Sequence, residues 1–144
     1  MSHQERCFRK AIVWTLGLSL PMLAVTCVLV LGLRDAIHLV ATLPIQIVCG
    51  LLITALFGWI VAPRWGSACT DRLILAGFFG VLSFLVGVLS GSTVSMFLEQ
   101  NFDLFAYILK PLFWVGIIGF IPAFVMGIVG AFISRHLLGR NANL

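Results

Sequence analysis

Ionisable side chains are scarce in this chain. Only 10% of its 144 residues are charged, nine basic and five acidic, while 61% are hydrophobic and the mean hydropathy is +1.14. A water-soluble domain carries about 25% charged residues. A fold of this size in water could not hide so much apolar surface, so lipid must supply part of the solvent.

The charges are also absent from particular places. Four long apolar runs, 11–33, 39–62, 73–98 and 112–134, contain no Asp, Glu, Lys, Arg or His. Ionisable groups inside a bilayer mark proton relays, ion pathways and coupled transport sites. Small four-helix multidrug transporters depend on a carboxylate in their first helix, and the first run here has none. Hydrolysis inside the membrane needs a nucleophile with a base in reach. Ser90-Gly91 follows Val88-Leu89 rather than the Gly-x of a rhomboid-type motif, and His3, His38 and His136 all lie outside the runs. An enzyme is not expected, and neither is a metal or cofactor.

Cysteine is sparse and placed without pattern. Cys7, Cys27, Cys49 and Cys69 match no zinc spacing and none falls between the first and second or the third and fourth runs. Small buried or reduced thiols are expected rather than a disulfide framework. No Asn-x-Ser/Thr acceptor occurs. The first run is far longer than the 7–15 apolar residues of a signal core, and three more follow, so it reads as a retained span.

What is present fixes a topology. The polar pieces before the first run, between the second and third, and after the fourth hold Arg6, Arg9, Lys10, Arg64, Arg72, Arg135 and Arg140. The two other pieces hold Arg34 and Lys110. This is the positive-inside bias of a four-span protein with both termini in the cytoplasm, read here as a bacterial inner-membrane protein. The cations are spread over three short pieces and form no stripe, which excludes nucleic acid as a partner. They suit orientation and contact with anionic headgroups. Trp14, Trp59 and Trp65 mark the inner boundary, Tyr107 and Trp114 the outer one.

The expected architecture is all-α: a single transmembrane domain over 1–144, a four-helix bundle in a lipid bilayer. Runs of 23 to 26 residues span roughly 35–39 Å as helix, more than a hydrocarbon core of about 30 Å, so tilt is expected. Residues 34–38 read as a tight outer turn, 63–72 as an inner loop, and 99–111 as an outer segment. Pro21 and Pro122 fall mid-span, where each removes a helix hydrogen bond and favours a bend.

Three runs carry small residues at every fourth position: Gly50, Thr54, Gly58 and Ala62; Ser83, Gly87, Gly91 and Ser95; Gly119, Ala123, Gly127 and Ala131. Such a ladder is a slanted groove on one side of a helix. Between lipid-bathed helices, close van der Waals contact across such grooves drives association. The ladders fit a tight core of spans two to four, or alternatively contact with a second copy. The first run lacks one and reads as peripheral. Gln46, the one side-chain amide within a run, extends the second ladder outward as packing glue.

Two surfaces remain for function. In 99–110, Asn101 is a candidate helix cap with Asp103 in the first turn, and Leu104, Phe105, Ile108 and Leu109 follow helical spacing. This reads as a short interfacial helix, with Glu99, Asp103, Phe105, Tyr107 and Lys110 available to a membrane-protein partner. Gln46, Ser90, Ser92 and Thr93 are candidate pore-lining residues. The expected function is a small non-enzymatic membrane protein acting through contacts: an accessory or assembly subunit, a regulator or an immunity-type protein. The alternative is a small homo-oligomeric channel or facilitator with a Ser/Thr-lined path.

Overall fold

The computed structural model describes the backbone of residues 3–141 and the side chains of residues 5–61 and 72–137. Every regular element in it is helical: α1 (His3–Leu31), α2 (Leu33–Thr42), α3 (Pro44–Asp71), α4 (Leu73–Leu98), a five-residue π-helical turn (Phe105–Leu109) and α5 (Lys110–Asn141). Four helices are long and apolar enough to cross a membrane, over Glu5–Leu31, Pro44–Val61, Leu73–Leu98 and Phe105–Leu137. The chain thus has the make-up of an integral membrane protein.

The ends of the helices fall where the backbone, not the charge pattern, dictates. Residues 34–38 are not a turn but part of α2. The chain breaks before it at Gly32, in the left-handed region at φ 83°, and after it at Leu43, just ahead of Pro44. Nothing between these positions interrupts helical bonding. The second span starts at Pro44 rather than at residue 39, because a proline fits the first turn of a helix, where its missing N–H has no partner to lose. Residues 63–71, expected as a loop, continue α3, and the break falls at Arg72, whose backbone is extended. Polar residues mark where hydrocarbon ends; they do not stop backbone hydrogen bonding. α4 ends through Gln100, which adopts φ 51° and donates its N–H to the Phe97 carbonyl at 3.3 Å.

The four long helices form a ring in the order α1, α3, α4, α5. α4 packs most extensively, against α3 on one side and α5 on the other. α1 closes the ring against α5 and α3 and does not meet α4 among the described residues. Small side chains predominate in the interior: Ala11, Ala76 and Ala131 are buried, with Phe8, Val81 and Met96 the bulkier side chains among them, and among the described residues no large side chain is completely buried. Large apolar residues point outward instead, Leu29 at 80%, Ile121 at 71% and Ile74 at 70% exposed. In water this arrangement would be ruinous. In lipid, outward Leu and Ile cost nothing, and small inward residues let helix backbones approach.

Candidate functional site

Most of the ladder residues lie at the places where helices touch, and the Ala62 side chain lies outside the described residues. A Cβ added to Gly50 would stand 2.8 Å from the Gly87 carbonyl oxygen, and one on Gly91 would stand 2.9 Å from the Gln46 carbonyl oxygen. One on Gly87 would collide with Thr54 Oγ1. The Thr54 hydroxyl donates to the Gly50 carbonyl at 2.8 Å and reaches the Ser83 carbonyl of α4 at 3.3 Å, so one hydrogen is shared between helices. Gly58 leaves this interface: its nearest neighbour is Ile12 of α1, at an ordinary 3.5 Å. Ser95 is half-buried, and its carbonyl accepts the Glu99 N–H at 3.0 Å where α4 ends.

On the other side of α4, a Cβ on Gly127 would strike the Ala76 carbonyl, and one on Gly119 would strike the Phe84 ring. Ala123 presents its carbonyl to Gly80, and Ala131 is buried beside Ala76. Gly77 lies under the Phe124 ring, which meets Phe78 edge-on at 5.7 Å. Ala76, Gly77 and Gly80 belong to no ladder read from the sequence, although the four-residue step from Ala76 to Gly80 was there to find. On an ideal helix, Ala76, Gly80, Ser83 and Gly87 fall within about 60° of one another. One stripe therefore serves two partners, α5 along its first half and α3 along its second.

The hydroxyl-bearing residues of α4 do not converge. Ser90 Oγ donates to the Val86 carbonyl at 2.7 Å and Thr93 Oγ1 to the Leu89 carbonyl at 2.8 Å, each on its own helix. Ser90, Ser92 and Thr93 spread over about 160° of the helix circumference at 100° per residue. Gln46, half-buried on α3, meets α4 through its backbone carbonyl at Gly91.

Segment 99–110 does bring its polar residues together. Asp103, rather than Asn101, caps the helix: its Oδ1 accepts the Phe105 and Ala106 N–H groups at 3.0 and 3.2 Å. Asn101 Oδ1 accepts the Asp103 N–H at 3.3 Å, shaping the turn before the cap. Tyr107 donates its hydroxyl to Glu99 Oε2 at 2.5 Å, tying the new helix to the end of α4. The π turn runs into α5 at Lys110 without a break. Phe105, Phe102 and Leu104 stay 68, 65 and 60% exposed, with exposed Glu99, Asp103 and Lys110 around them.

A further site escaped sequence reasoning. Arg6, Arg9, Lys10, Val13 and Trp14 of α1 and Trp59 of α3 line an open cleft of about 290 Å³. The α1 residues share a face because they repeat at steps of three and four. The Arg9 guanidinium lies 5.0 Å from the centroid of the Trp59 ring. Its Nε is buried with no hydrogen-bond partner among the described residues. The cations and the tryptophans each have a separate explanation in the sequence, orientation and anchoring, and their 50-residue separation hides that they meet. Among the described residues no three His, Cys, Asp or Glu side chains lie close enough to hold a metal ion. Comparison of the chain with protein-family models, with curated proteins and with solved structures finds no match.

Proposed function

We propose that the chain is a non-enzymatic membrane protein that acts through protein contacts at its outer face, with both termini cytoplasmic in a bacterial inner membrane. The basic residues support that orientation through their seven-to-two bias. The observation that carries the functional reading is segment 99–110. It is held in one shape by the Asp103 cap and the Tyr107–Glu99 bond, and it offers Phe102, Leu104 and Phe105 within a charged surround. Aromatic residues at the centre with polar groups at the rim are the usual make-up of a protein interface. α2 flanks the same side, with Leu33, Ile37 and Val40 exposed along one face and Arg34, Asp35 and His38 along another; it rests flat on the outer leaflet. The role is that of an accessory or assembly subunit, a regulator or an immunity-type protein.

The test is co-purification in mild detergent with a photo-crosslinking residue at position 105. One stoichiometric partner is expected, lost on Phe105→Glu. Ion or solute flux through liposomes holding the purified protein, sensitive to Ser92→Ala or Thr93→Val, would establish a channel instead and end the contact reading.

A further inference from the structure

The cleft between α1 and α3 is unlike the rest of the surface. It gathers three cations from one face of α1 and sets two tryptophans beside them. The guanidinium of Arg9 is held against Trp59 at 5.0 Å, an arrangement in which the ring fixes the plane of the cation. A planar guanidinium matches the oxygens of a phosphate through paired N–H bonds. The Nε–H of Arg9 is buried and has no acceptor among the described residues, so nothing there compensates for the water it has lost.

The surroundings point to a lipid as the source of such a phosphate. From the cleft toward the middle of the bundle, the same face of α1 continues through Val13, Gly17 and Leu20, and the neighbouring face of α3 through Leu56 and Leu52. Val13, Leu20, Leu56 and Leu52 are each at least half exposed, and Gly17 has open space around it. An acyl chain lying along this track keeps its headgroup in the cleft. The open cleft of about 290 Å³ is walled almost wholly by apolar surface, the tryptophan rings and the aliphatic stems of the cations, so a phosphate would sit at the cation heads on its rim. We propose that it is a binding site for an anionic phospholipid headgroup in the leaflet at the N-terminal end of α1. This stands apart from the partner surface at 99–110, at the other end of the bundle.

Full-length protein carrying Trp65→Phe and Trp114→Phe emits from Trp14 and Trp59 alone, both at the cleft. In phosphatidylcholine vesicles, a brominated phosphatidylglycerol should quench that emission about fivefold more effectively than brominated phosphatidylcholine at equal mole fraction, the preference that one cation's attraction supplies. Arg9→Gln should abolish the preference. Arg9→Lys keeps the charge that orients the chain and so keeps the preference, but should lower the quenching by both lipids, because the planar fork that pairs with the phosphate is lost. Equal quenching by the two lipids would overturn the proposal. A preference unchanged in Arg9→Gln would reduce it to general surface attraction and overturn it too. Relief of quenching by millimolar inorganic phosphate at constant ionic strength would reassign the site to a soluble anion. If Arg9→Gln fails to insert, Arg9→Lys decides, since quenching by both lipids equal to that of the unsubstituted protein would overturn the proposal, and none of these readings depends on any partner at 99–110.

Discussion

Gln100 is the residue whose backbone conformation its side chain suits least. At φ 51° it closes α4 in the left-handed region, where an L residue other than glycine is strained by roughly 1–2 kcal/mol. Its N–H still bonds the Phe97 carbonyl, so the turn itself is sound. Gln100→Gly should therefore stabilise the protein by up to about 1 kcal/mol, read as a higher midpoint in detergent unfolding. A lower midpoint would mean that the Gln100 side chain holds the 99–110 segment in place. Asp103 teaches a related lesson. Both Asn101 and Asp103 have the chemistry of a cap, and the choice between them rests on where the chain turns after Gln100, two residues of backbone geometry that no local propensity fixes.

At the scale of helices, close approach decides which glycines matter. A Cβ on Gly80 would collide with the Ala123 carbonyl and come within 2.8 Å of the Gly127 Cα, all rigid backbone. The same atom on Gly58 meets only the end of the Ile12 side chain at 3.5 and 3.8 Å. Gly80→Ala should cost about 1–3 kcal/mol by forcing α4 from α5, whereas Gly58→Ala should be nearly silent. Unfolding by graded detergent denaturation compares the two directly, and equal effects would mean that α4 and α5 do not approach as described. The small-residue ladders were legible because their period is that of the helix. Which neighbour each rung faces was not, since Gly50 and Gly58 occupy one ladder yet meet different helices. α2 was legible in principle: Leu33, Ala36, Ile37 and Val40 have helical spacing, but Arg34, Asp35 and His38 among them read as a turn.

For the whole molecule, orientation is the property that everything at the two ends depends on. The native thiols among the described residues serve poorly as reporters, since Cys7 is buried and Cys27 and Cys49 are partly so, and Cys69 lies outside the described side chains. In a cysteine-free background, Asn101→Cys at an exposed position should react with an impermeant maleimide added to intact cells. Reaction only after permeabilisation would invert the topology and place segment 99–110 in the cytoplasm. By itself the sequence determined that four apolar helices exist, because a bilayer about 30 Å thick demands some twenty uncharged residues per crossing and leaves few alternatives. It determined the weight of charge at each end for the same reason. Only the tertiary structure decided the ring order, the division of α4's small face between α3 and α5, and the meeting of Arg9 with Trp59. Those are contacts between residues far apart in the chain, set by which helix surfaces can approach most closely. A period within one helix carries no record of its neighbour.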